Sequence, residues 1–295
     1  PAPTAVWISN PPAAWLTDLH GALKRLLYRR HPYRLPDIGR PESLRALTAD
    51  DVEACHRQRC VGSNTVVVVS GRVSPAALRA PLARLFSAVA AGAFAPESPE
   101  EEGVLEPDLR VEPRAWNIGA LAAGYRGVAW EPRLWCALEL LRTLLVGPEN
   151  NSVRGRLVRA MRDAGTAYSV HCYNQAGLKE GYFSIMTAYL PEREAEARAI
   201  VAREIERLAA GEVAPPELAH GRKLALLQHL RLYESPRQHA CAAGRHLLFA
   251  PSAAAPWSGV ASALEEITVD EIAAAARKTF RETARGLVLF RTSGE

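Results

Sequence analysis

The chain has 295 residues, 48% apolar and 23% charged, a composition that suits a packed core in a protein of two domains. Its formal charge of +4 comes from well-mixed signs, too mild a bias to demand nucleic acid. No apolar run approaches the ~18 residues a membrane span needs, no basic leader precedes an apolar core, and the five scattered cysteines fit reduced thiols in a cytoplasmic protein.

In chain order, residues 11–27 place Trp15, Leu16, Leu19, Leu23, Leu26 and Leu27 at helical spacing. The proline-rich stretch HPYRLPDIGRP, 31–41, is a loop. Thr48 with Asp51 three residues on predicts a capped helix. The all-apolar run 65–69 reads as a central strand covered on both faces, and Ser74-Pro75 opens another helix. Residues 93–109, acidic and rich in proline, read as an interdomain linker.

Beyond it the pattern predicts a strand at 118–126 and helices at 132–146 and 152–162. A hairpin at 166–173 and 182–190 turns around Gly177. Helices follow over 191–210 and from Pro215, Ser235 and about Trp257, then a helix capped by Thr268 and a last strand at 286–290. Strands and helices do not alternate strictly, so the expected class is α+β, a mixed or antiparallel sheet with helices packed on one face.

The segment LTADDVEACHRQRCVGSNTVVVVSGRVS, from Leu47, recurs as ITVDEIAAAARKTFRETARGLVLFRTSG from Ile267, an offset of 220. Repetition at a fixed offset implies duplicated units. The expected division is 1–92 as the end of a first unit that lacks its N-terminal part, 93–109 as linker, and 110–295 as a whole second unit.

Several clusters favour the plain structural reading. Lys24, Arg25, Arg29, Arg30 and Arg34 lie opposite an apolar helix face, which argues for solvent rather than nucleic acid. Cys55, His56 and Cys60 lack a fourth zinc ligand, and His220, His229, His239 and His246 have spacings no compact metal site uses. No Gly-x-Ser-x-Gly elbow is present. Chemistry concentrates instead at RLVRAMRDAGTAYSV, residues 156–170, where a helix ends, turns at Gly165 and gives way to a strand. Arg162 and Tyr168 flank that turn, and a guanidinium with a phenol suits a carbonyl oxygen gaining negative charge.

HPYRLPDIGRPESLRALTADDVE, TVVVVSGRVS, GRLVRAMRDAGTAYSV, EGYFSIMTAYLPE, GEVAPPELAHGRKLALL and ALEEITVDEIAAAARKTF, taken in order and spacing, resemble the insulinase/pitrilysin group of zinc peptidases over nearly the whole chain. The resemblance implies duplicated α+β units, the first carrying an inverted His-x-x-Glu-His zinc motif and a distal Glu. It implies that the next unit supplies an Arg and a Tyr to the substrate, here Arg162 and Tyr168. Substrate bound as an added strand implies contacts at Ser169, Val170 and Tyr173. None of the eight histidines lies in His-x-x-Glu-His, so this chain is expected to supply no metal ligand. Zinc would come from a partner subunit or an upstream segment. The Arg-to-Tyr interval is one residue shorter than the family pattern, which makes Arg159 the fallback for Arg162. The expected function is the substrate-binding, transition-state-stabilising half of a zinc metallopeptidase acting on peptides, inactive alone, with no nucleic-acid or membrane partner. The alternative is an inactive structural subunit of the same fold.

Overall fold

Runs of small and branched apolar residues build a five-stranded sheet. In the computed structural model, which describes residues 11–93, 99, 101, 108–148, 155–177, 179–249 and 256–292, the strands are β1 (Asp108–Arg114), β2 (Gly119–Arg126), β3 (Ala167–Gln175), β4 (Tyr182–Tyr189) and β5 (Arg285–Thr292). Their order is β1-β5-β2-β4-β3. β1 and β5 run parallel and the remaining pairs antiparallel. β4 is buried along its length and β2 nearly so, as interior strands must be. β1 is the strand that the sequence pattern did not predict. Its Leu109 and Val111 alternate with charges, and Pro113 is tolerated because β1 lies at the sheet's edge. The expected linker falls outside the described residues except at 93, 99, 101, 108 and 109.

Both faces of the sheet are covered. Helix α1 (Pro11–Leu27) sets Leu19, Ala22, Leu23 and Leu27 against Ala120, Ala122, Met186, Val288 and Phe290. Gly124 permits this approach, since a Cβ there would come within 2.8 Å of Leu23 and Leu27. The other face carries the helical layer predicted from the sequence: α5 (Pro132–Val146), α6 (Arg156–Asp163), α7 (Glu194–Ala209) and α11 (Val269–Thr279). α5 begins at Pro132, with the Glu131 carboxylate accepting from the Arg133 and Leu134 amides. α8 (Pro215–Arg231) follows α7.

The chain divides into two units that are discontinuous in sequence. The first holds Pro1–Pro36, Pro99–Ala225 and Ser262–Glu295, and with them the whole sheet; the second holds Asp37–Ser98 and Leu226–Ala261. Within the second lie α2 (Pro41–Ala46), α3 (Ala49–Arg59), α4 (Pro75–Leu85) and α9 (Pro236–Phe249), while α10 (Pro256–Glu266) straddles the division. Thr48 and Asp51 form the predicted capping box on α3. The predicted central strand at 65–69 is not one: among the described residues it has no ladder partner, and Val66, Val67 and Val69 are exposed. An apolar run becomes a strand only where a neighbour supplies hydrogen bonds. No helix is long and apolar enough to cross a membrane among the described residues.

Candidate substrate site at the α6–β3 joint

The joint is held from its backbone outward. α6 ends in a left-handed Gly165 (φ 65°), with the Gly165 amide donating to the Arg162 carbonyl at 2.9 Å and the Thr166 amide to the Met161 carbonyl at 3.0 Å. That pair of bonds is the Schellman closure, which a glycine makes without strain. The buried Thr166 hydroxyl also donates to the Met161 carbonyl, and Arg193 donates to the Ala164 carbonyl at 2.7 Å. At the helix start Gly155 is packed so tightly on α5 that a Cβ would meet the Leu145 carbonyl at 2.3 Å.

Charge anchors the same helix. The buried Arg156 makes two bonds to the Glu217 carboxylate, at 3.0 and 2.8 Å, and a third to the Glu212 carbonyl at 2.9 Å. Glu204, also buried, lies 3.8 Å from Arg156 and 3.2 Å from Arg207. Arg156, Glu204, Arg207 and Glu217, with Arg159, Ala160 and Asp163, line a cleft of about 420 Å³. Arg159 therefore faces a polar groove. Arg162 lies in the last turn of α6 with its side chain 56% exposed, and its ion-pair contact is Asp163 at 3.6 Å. A pair so open to solvent does little to fix the guanidinium.

Tyr168 occupies a bulge. Ala167 faces Tyr189 and Ser169 faces Ala188, so two residues of β3 advance while β4 advances by one. Bulges re-aim side chains next to sites; the Tyr168 side chain lies outside the described residues. The Ser169 carbonyl accepts from the Thr187 hydroxyl at 2.8 Å, Val170 is buried, and β3 forms one end of the sheet. The structure thus puts Arg162, Tyr168, Ser169 and Val170 on one continuous helix–turn–strand path. Tyr173 lies further along, on the α1 face.

That face holds a cluster the sequence reading missed. His20 stacks on Tyr173 with centroids 5.8 Å apart, His171 lies 5.9 Å from Trp15, and His20 Nε2 is 2.6 Å from the Tyr182 hydroxyl. Burial holds the His171 imidazole below its ordinary pKa, favouring the neutral form. The alternation of His171 and Tyr173 was legible, but their partners on α1 were not. Burial also pushes the Cys136 thiol up to about 12 and the Cys172 thiol higher still, which removes both as nucleophiles. Among the described residues no group of three or more His, Cys, Asp or Glu is placed to hold a metal ion.

The family profile described as "Peptidase M16 inactive domain" matches residues 46–224. An uncharacterized zinc protease of Mycobacterium tuberculosis is 29% identical over 189 residues, which are 62% of this chain and 42% of that protein. The chain therefore spans less than half the length of this curated relative. Among solved structures, a peptidase M16 inactive domain from Pseudomonas fluorescens superposes with a TM-score of 0.83 at 18% identity, over 95% of this chain and 66% of that one. A chain of complex III2 from Candida albicans gives 0.79 at 12% identity, over 96% and 67%. At these identities the likeness is one of fold.

Proposed function

Since the chain belongs to the M16 peptidase family, matching its inactive domain, we propose that it is the zinc-free, substrate-binding half of a zinc metallopeptidase acting on peptides. Zinc and the general base would reside in a partner polypeptide carrying His-x-x-Glu-His, a motif that none of the eight histidines of this sequence forms. The observation that carries the reading is the joint itself: a Schellman turn fixes the end of α6, and a bulge follows at once in the terminal strand β3. An extended peptide would lie along β3, bonding the backbone of Ser169 and Val170 and packing near Tyr173. Arg162 and Tyr168 would donate to the scissile carbonyl oxygen as it gains charge. Arg159, in the neighbouring cleft, is the replacement if Arg162 stays in solvent. Activity would appear in a heterodimer, in the cytoplasm, and serve peptide maturation.

The test is Tyr168→Phe in the assembled peptidase. Loss of one such donor lowers turnover by about 10²–10³ with little change in KM. Near-normal turnover would take Tyr168 out of the mechanism. A second reading, an inactive structural subunit, draws on the exposure of Arg162 and on the fold shared with a chain of complex III2. Arg159→Ala and Arg162→Ala, made singly and together, separate the two, since a purely structural subunit would assemble and work normally without either guanidinium.

A further inference from the structure

The turn between Arg162 and Tyr168 is gripped from outside by the corner that joins β4 to α7. After Leu190 the chain makes a short 3₁₀ turn over Pro191–Arg193 and enters α7 at Glu194. Two donors from this corner bracket Gly165. Arg193 Nη2 donates to the Ala164 carbonyl at 2.7 Å, and the Leu190 amide donates to the Thr166 carbonyl at 3.1 Å. The Ala164 carbonyl is one of the acceptors that a helix end leaves without an intrahelical donor, and the helix dipole favours a cation there. The corner is itself a fixed post. Glu194 accepts from Arg291 of β5 at 2.8 and 2.7 Å. Tyr189, 1% exposed, lies so close over Gly119 of β2 that a Cβ there would come within 2.5 Å of its ring. The Glu196 carboxylate accepts from Arg193 Nε at 2.6 Å and so orients the guanidinium that serves the turn.

We propose that Arg193 is a positioning residue for the carbonyl-binding pair. It holds the turn so that Tyr168 stands in fixed relation to Arg162, and it touches no reacting group. Arg162 moves with α6, whereas Tyr168 lies beyond the turn, in the bulge that follows the pairing of Ala167 with Tyr189. Their separation is therefore a property of the turn, and a glycine pivot alone leaves that turn free to swing. The inference rests on the peptidase reading above. A misplacement of ~1 Å at a reacting centre can cost about 10²-fold in rate. The Arg193 and Glu196 side chains are 39% and 42% exposed, so their pairing adds little to global stability. A large loss of turnover with a small loss of stability separates positioning from packing.

A double-mutant cycle tests it on the assembly and its variants isolated from their own host, assayed with a mixed pool of internally quenched fluorescent peptides. Arg193→Ala should lower kcat about 10–100-fold with KM and the melting midpoint little changed. In a Tyr168→Phe background the same substitution should cost about twofold or less, because the group it positions is gone. Amides of Gly165 and Thr166 should exchange faster in Arg193→Ala. Glu196→Gln, which loosens the guanidinium without removing it, should show the same pattern at smaller amplitude, and it carries the test if Arg193→Ala does not fold. Unchanged turnover or exchange in these variants overturns the positioning role while the peptidase reading stands. So does full additivity with Tyr168→Phe, or a loss of turnover that simply follows the melting midpoint. Near-normal turnover in Tyr168→Phe, or no cleavage by the native assembly, removes the peptidase reading and the positioning role with it.

Discussion

Two copies of one sequence motif in this chain have the same local structure and opposite surroundings. Thr48 and Asp51 cap α3 through a reciprocal pair of bonds, and Thr268 and Glu271 cap α11 in the same way. Each helix leads through a short 3₁₀ turn into an apolar run. Yet Leu47 is 54% exposed where Ile267 is fully buried, and Val52 is 59% exposed where Ile272 is fully buried. α3 buries none of its residues, and α11 buries five. Helix caps are settled by residues within one turn of each other, whereas burial depends on distant chain. The comparison separates those two contributions inside a single molecule.

The largest expected effect follows from that separation. Ile272→Ala removes a fully buried side chain from the core of the complete copy and should cost ~2–5 kcal/mol in a denaturant titration. Val52→Ala, at the equivalent position, should fall within about 0.5 kcal/mol for the isolated chain. Equal effects at the two positions in the isolated chain would mean that α3 is already enclosed, and the contrast between the copies would fall.

What was legible in the sequence follows the same division. The bounds of α5 come from Pro132 and the apolar spacing up to Val146, and the turn after α6 comes from Gly165. β1 was not legible, because Leu109 and Val111 among charges and Pro113 identify an edge strand only once β5 is known to lie beside it. Nor was the placement of α1 on the far face of the sheet, since amphipathicity says that a helix is buried but not against what. At the candidate site, the helix–turn–strand path was evident from Arg162 to Val170. The bulge at Tyr168 was not, because a bulge belongs to the register of two strands and not to either alone. The pairing of His20 with Tyr182 spans 162 residues and has no local trace. The run at 65–69 taught the converse: its composition states what surroundings it requires, and only the structure shows whether they are present.

A smaller effect sharpens the contrast at the caps. Thr48→Ala and Thr268→Ala each remove a hydroxyl that accepts from the third helical amide, a loss of about 1 kcal/mol of helix stability. The two should be read out differently. Thr268→Ala should lower the global midpoint, because α11 is packed on α5 and α7. Thr48→Ala should chiefly speed amide exchange across α3, since that helix buries nothing that would transmit the loss. A global shift from Thr48→Ala would show that α3 folds cooperatively with the rest.

The smallest effect concerns acid. The Glu271 carboxylate accepts from Arg133 Nε at 2.5 Å and Nη2 at 3.2 Å as well as from the Thr268 amide at 2.9 Å. The Arg133 bonds are the leading cause that holds its pKa down from 4.5 to about 2, with the Thr268 bonds next. Asp51 is also held below its ordinary value, by the Thr48 hydroxyl and backbone. A carboxyl with a lowered native pKa contributes its full stability above its unfolded value, near 4.5, and loses it as the pH falls toward about 2. The pair is partly exposed and screened by solvent, so Arg133→Ala should lower stability only slightly at neutral pH. That difference should shrink below pH 4.5 and be lost as the pH falls through about 2, measured as paired denaturation curves across the range. Arg133 sits at the start of α5 and Glu271 at the start of α11, so the ion pair ties a local cap to the rest of its unit. A penalty that persisted at the acid end would show that Arg133 acts by packing and that the cap of α11 is as self-contained as that of α3.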